Sequence, residues 1–344
     1  MTGDGTRETP SENGSESSSG IKSAPSAEAP SKRYSLGRLE FTDGSALFGA
    51  ILWLFATVSF GLGPIDRALA LAPLVLVPLG LGAAATPAFE GPAGWLMTAA
   101  TRLQPVGAVL LAASLVGPDG WHAAALAAPW LGVTALLGLA AVARTLERGT
   151  QPLSETLIDA GLAYTNVGTV ALLLYHLEVT FWFQPVIVLL TAVHFHYAGF
   201  VLPLTTGLVG RCGDVEVSRI FRMLGSVVLV GPAIIAVGIS FSPTVELIGV
   251  GFFTAAVAAL ALYVVAVVAP ARPRLQRIAL TVSGLTLPLP MLLALGFVVG
   301  TVFGVDPFGL TISRMVQLHG TLNAFGFALL ALVGWRLAVP VALE

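Results

Sequence analysis

Between residues 46 and 337 the chain repeatedly runs apolar for about twenty residues and then breaks into a short polar cluster. A run of about 20 residues, rising about 1.5 Å per residue as a helix, crosses a bilayer core, and a helix satisfies its own backbone there. Such runs lie near residues 46–63, 68–86, 95–117, 121–143, 156–176, 183–209, 217–240, 244–268, 278–303 and 314–337. Arg102 and Gln104 interrupt the third, leaving its start open between residue 95 and a point beyond them. Thr42 and Asp43 precede the first run, where either can cap a helix. The pattern predicts an all-α protein, a polytopic transmembrane helix bundle of about ten spans over residues 45–337.

Residues 1–40 follow no such pattern. "SENGSESSSGIKSAPSAEAPSKR" has almost nothing large and apolar to bury, so a disordered polar N-terminal tail is expected. It lacks the basic start and early apolar core of a cleaved signal peptide.

Charge placement orients the spans, because Lys and Arg near span ends stay on the cytoplasmic side. With the N-terminus inside, that side receives Lys32, Arg33, Arg38, Arg102, Arg144, Arg148, Arg211, Arg219, Arg222, Arg272, Arg274, Arg277 and Arg336. The outer side receives Arg67 and Arg314, with "DGWH" at 119–122 and "FWF" at 181–183 as an interfacial aromatic belt. N- and C-termini are therefore expected in the cytoplasm of a multi-pass cell-membrane protein.

Composition agrees: 56% of residues are hydrophobic and 10% charged, against about 25% charged in soluble domains. The lipid bilayer is the expected partner, together with an unidentified small ligand, and nucleic acid is not expected. The single cysteine, Cys212, excludes an intrachain disulfide and a thiolate metal cage, and is expected to be inert. The one internal echo, Asn166 followed by "ALL" at 171–173 and Asn323 followed by "ALL" at 328–330, is what chance yields in a chain this rich in Ala and Leu.

Polar groups at membrane depth cost roughly 2.5 to 3.5 kcal/mol for a central charge, so each asks for a reason. The sixth run carries His194, His196 and Tyr197, and the tenth carries His319 and Asn323, four apart on one face. On the fifth, Glu155, Asp159, Leu162 and Asn166 form a stripe that climbs from the cytoplasmic surface, where the two carboxylates are expected to be solvated. His194 and His196 are two apart and point roughly 200° from each other on a regular helix, while Gly199 and Pro203 loosen the helix beyond them. Depth allows helices five, six and ten to share one polar cavity. The alternative for each residue is interhelical hydrogen bonding alone. His122 and His176 stand at outer helix ends, where solvated histidines are ordinary, and Pro288 and Pro290 are placed to break the ninth run.

Three function classes fit. Neutral imidazoles of His194, His196 and His319 can bind a transition metal or haem, with Tyr197, Asn323 and Asn166 as hydrogen-bonding support. His319-x-x-x-Asn323 is similar to the last motif of the CAAX-protease and bacteriocin-processing family, although that family's paired glutamates and arginine are missing, so an intramembrane hydrolase lacks its base. A proton-coupled small-solute transporter suits histidine, whose ordinary pKa is about 6.5.

"VHFHYAGFVLPL" at 193–204 and "LHGTLNAFGF" at 318–327 resemble the two signature segments of the YndJ-like family of prokaryotic integral membrane proteins. The resemblance implies a polytopic membrane protein and points to the same histidines, but it brings no reaction with it.

Overall fold

The structure, a computed structural model, describes residues 1–3, 40–305 and 308–341. The tail expected over residues 1–40 falls, from 4 to 39, outside the described residues. Among the described residues ten helices are long and apolar enough to cross a membrane. They are Phe41–Phe60, Pro64–Ala84, Gly91–Ser114, Trp121–Arg148, Leu153–His176, Pro185–Gly210, Arg219–Phe241, Pro243–Ala271, Arg274–Phe303 and Ile312–Leu337, numbered one to ten below.

Helix three resolves the open start. It begins at Gly91 and runs unbroken past both polar residues, because each has an outlet: Arg102 is exposed, while Gln104 is buried with its amide spent. Gln104 Nε2 donates to the Pro73 carbonyl at 2.7 Å, and Oε1 accepts from Ser45 Oγ at 2.6 Å. A buried amide satisfied on both sides does not break a span.

Helix two is the central post, buried without interruption from Leu69 to Ala84. Helices one, three, six and ten pack around it. Its run after Arg67 holds only apolar and small residues, so no face of it needs water. The approach of helix one is close enough that a Cβ on Gly49 would fall 1.8 Å from the Leu74 carbonyl oxygen. Glycine also ends helices one and nine, at Gly61 (φ 63°) and Gly304 (φ 66°), where the left-handed conformation stops the ladder.

Several helices widen into π turns, in which each N–H reaches five residues back. Helix six does so over Tyr197–Val201, immediately after the His194/His196 pair. Pro203 has no N–H to offer the Gly199 carbonyl, which removes one α-helical bond at that point. Helix ten is wide over Val316–Gly320 and again over Leu322–Leu329, so both His319 and Asn323 sit in π turns. Helix nine is interrupted at Leu287, between Arg274–Thr286 and Pro288–Phe303, as the two prolines predict. Trp121, Phe181 and Trp182 are exposed at one end of the bundle, in keeping with an interfacial belt.

Candidate functional site

His194 stands about 14 Å from the start of helix six at about 1.5 Å per residue, about a third of the way along it and well inside the span. His319 of helix ten faces it, with ring centroids 6.1 Å apart and planes 32° from parallel. His194 Nδ1 lies 2.7 Å from the Leu190 carbonyl oxygen one turn back, and His319 Nδ1 lies 2.7 Å from the Pro290 carbonyl oxygen on helix nine. A carbonyl oxygen only accepts, so each Nδ1 carries the proton and each Nε2 is left with its lone pair. Asn323 Nδ2 donates to His319 Nε2 at 3.2 Å and to the His319 carbonyl at 2.9 Å. His194 Nε2 makes no hydrogen bond among the described residues, and the side chain is exposed where its helix faces away from helix five.

His196 occupies the other face of helix six. It is fully buried, its Nδ1 donates to the Ala192 carbonyl at 2.8 Å, and its Nε2 accepts the Trp130 indole N–H at 3.1 Å. The imidazole and indole stack with centroids 6.3 Å apart. Gly168 of helix five makes the room, since a Cβ there would lie 2.7 Å from His196 Nδ1. Tyr197 donates its hydroxyl to the Ala68 carbonyl at 2.9 Å and ties helix six to helix two. Asn166 donates from Nδ2 to the Thr134 and Ala163 carbonyls at 2.9 and 3.0 Å, tying helix five to helix four.

Of the six residues singled out in the sequence, the structure brings together His194, His319 and Asn323. It turns His196, Tyr197 and Asn166 toward neighbouring helices. Among the described residues no three His, Cys, Asp or Glu side chains converge as a metal cage. Any metal at the pair would take two imidazole nitrogens from the protein and the rest of its coordination from elsewhere.

Sequence reasoning missed two polar clusters. Glu155 and Asp159, expected to be solvated, are buried in an ion-pair network at the end of the bundle opposite the starts of helices six and ten. Arg144 bonds both carboxylates, and Arg148 Nη2 meets Asp159 Oδ2 at 2.5 Å. Arg211, at the end of helix six, grips Glu155 through Nε at 2.6 Å and Nη2 at 2.8 Å and also donates to the Thr86 carbonyl at 2.8 Å. One signal was present: Arg144 and Arg148 are four apart, as are Glu155 and Asp159, across a loop short enough to pair antiparallel helices. Arg211 carried no such signal.

The second cluster is at the other end. His176, expected to be solvated, is 1% exposed, with Nδ1 2.8 Å from Asp119 Oδ1 and Nε2 3.2 Å from Ser114 Oγ. The order Ser, His, Asp is that of a hydrolase relay. Ser114 is nevertheless buried and donates to the Leu111 carbonyl at 2.7 Å, so no carbonyl carbon reaches its oxygen. The cluster ties the ends of helices three and five. Cys212 lies in the loop after helix six, where burial pushes its thiol pKa up against the opposing pull of the Arg272 guanidinium that bonds it. That disfavours thiolate chemistry.

The family model described as YndJ-like protein matches residues 67–327, a stretch that includes His194, His196, His319 and Asn323. A relative in Bacillus subtilis (strain 168), the uncharacterized membrane protein YndJ, is 36% identical over 216 residues, covering 60% of this chain and 37% of the relative. The chain thus spans well under half the length of that relative. No solved structure matches. With ten helices fit to span a membrane and a family match over most of its length, the chain is a multi-pass membrane protein that belongs to the YndJ-like family.

Proposed function

We propose that this protein binds a transition metal within the membrane, as an ion or as haem iron, through Nε2 of His194 and Nε2 of His319. The observation that carries the proposal is the fate of the two Nδ1 atoms. Each is bonded to a backbone carbonyl at 2.7 Å, which holds the ring in place with Nε2 unprotonated: that of His194 is free among the described residues, and that of His319 accepts the Asn323 amide at 3.2 Å, a bond that a metal would replace. A metal-binding histidine commonly uses its other nitrogen in this way. Imidazole suits Cu, Zn, Fe and Ni, and the exposed flank of His194 gives an entry path. The π turns beside His194 and around His319 add weight, since such turns are frequent at functional sites. Asn323, whose amide also donates to the His319 carbonyl at 2.9 Å, keeps that bond when Nε2 turns to a metal, and His196, Tyr197 and Asn166 support the site by fixing helices five and six. The arginine-rich end, with Arg144, Arg148 and Arg211, faces the cytoplasm in this reading, with both termini on that side.

The test is elemental analysis and an absorption spectrum on detergent-purified protein supplied with Cu, Zn, Fe or haem. The expected result is stoichiometric metal, or a haem Soret band, in the wild type and in folded His196→Ala, and its loss in His194→Ala and His319→Ala. A wild type that takes up no metal and no haem would overturn the proposal and favour proton or small-solute handling at the same pair. Equal loading of His194→Ala would also overturn it.

A further inference from the structure

At the arginine-rich end, the connection between helices two and three, the end of helix four and the start of helix five line an open cavity of about 410 Å3. That lies in the range of about 300 to 1,000 Å3 typical of small-ligand sites. It is far in the fold from the histidine pair and independent of it. Its floor and its rim carry opposite charge.

Arg211 at the floor is almost fully committed, four of its five N–H donors going to both oxygens of Glu155 and to the Thr86 and Ala84 carbonyls. Arg144 and Arg148 are not. A guanidinium has five N–H donors. Arg144 turns two toward Asp159 and Glu155, and Arg148 turns two toward Asp159 and the Gln151 carbonyl, so both keep donors in hand. The Arg144 guanidinium carbon lies over the Phe89 ring, 3.9 Å from its centroid, a cation–π contact that helps hold the group in place. At the rim Glu90 and Glu147 are exposed and make no ion pair among the described residues. The cavity therefore presents guanidinium donors within and free carboxylates at its mouth.

Its level follows from its neighbours. Trp95, one turn into helix three, is 69% exposed, as an aromatic at the membrane interface would be, and Leu146 beside the rim is 81% exposed. We infer that this cavity binds a small zwitterion of the phosphoethanolamine type, its phosphate against Arg144 and Arg148 and its primary ammonium between Glu90 and Glu147. Arginine's planar fork matches phosphate oxygens. A primary ammonium has three N–H donors for the carboxylates, whereas a trimethylammonium has none, and a purely anionic group would meet the rim's repulsion. A bilayer lipid head group and a free soluble zwitterion both have this chemistry.

The test is native mass spectrometry of the full chain with phosphatidylethanolamine, phosphatidylcholine and phosphatidylglycerol at equal mole fraction. Glycerophosphoethanolamine serves as soluble competitor. Wild type is expected to prefer phosphatidylethanolamine by about ten-fold, the worth of roughly one charge-assisted hydrogen bond. The double variant Glu90→Gln/Glu147→Gln, altered only at exposed unpaired positions, is expected to lose that preference. Displacement by glycerophosphoethanolamine would identify a free zwitterion as a sufficient ligand, and retention of lipid would assign the site to the bilayer. Equal binding of the three lipids by wild type, or an unchanged preference in the double variant, overturns the inference.

Discussion

Helix six carries polar groups of two kinds, and they differ in what they have left to give. His196 and Arg211 are buried and spent: His196 has a partner on each nitrogen, and Arg211 bonds a carboxylate and two carbonyls. His194, two residues before His196, uses one nitrogen on its own helix and leaves the other free opposite His319. Buried polar groups are satisfied almost without exception, which accounts for the bonding of His196 and Arg211, whereas His194 is exposed and packing asks no second bond of it. A histidine whose second nitrogen is taken by a neighbouring helix, as that of His196 is by Trp130, is explained by packing. A half-bonded one beside a second imidazole asks for a ligand.

The contrast is broken most forcefully at Arg211. Removing one member of a buried ion pair strands the other, so Arg211→Met should cost about 3 to 5 kcal/mol, measured as reversible unfolding in mixed micelles. A loss below about 1 kcal/mol would class the pair with surface ion pairs and remove it from the spent group. Gly168→Ala comes next. Its Cβ would lie 2.7 Å from His196 Nδ1 and 3.0 Å from the Ala192 carbonyl oxygen, so helices five and six must separate. Overpacking of this kind costs about 1 to 3 kcal/mol. Unchanged stability would show that the His196 side is looser than its hydrogen bonds suggest.

These two variants also mark what could be read from the residues alone. The ten spans were legible because hydropathy over about twenty residues is the strongest signal a membrane chain has. The divergence of His194 and His196 followed from about 100° per residue, and the joining of His319 to Asn323 from their four-residue spacing. The meeting of His194 with His319 was legible only as an allowed depth, since nothing in a linear pattern says which face of helix ten turns toward helix six. Arg211 and Glu155 lie fifty-six positions apart and meet only because helices five and six pack antiparallel. Gln104 looked like a break because its partners, Pro73 and Ser45, come from helices two and one. Pairings between distant helices were what the residues could not declare.

A smaller effect belongs to Trp130. Trp130→Phe keeps most of the ring's volume but takes the N–H from His196 Nε2, which then faces the protein interior unpaired. One such loss should lower stability by about 1 kcal/mol, read from the same unfolding curves, with metal loading unchanged. Loss of loading in this variant would mean that the two faces of helix six work as one site.

The smallest stability effect is expected at His194 itself. Its side chain is exposed, its one hydrogen bond returns to its own helix, and its Nε2 holds nothing in place among the described residues. His194→Ala should therefore stay within about 0.5 kcal/mol of wild type, as substitutions away from packed or paired sites do. The same variant should abolish metal or haem binding, because a lone imidazole on helix ten has no second nitrogen opposite it. Stability and loading must separate here if the spare nitrogen is functional, whereas at Arg211 and Gly168 stability falls first. A His194→Ala protein as unstable as Arg211→Met would place His194 among the spent groups, and the pair would then be a packing contact.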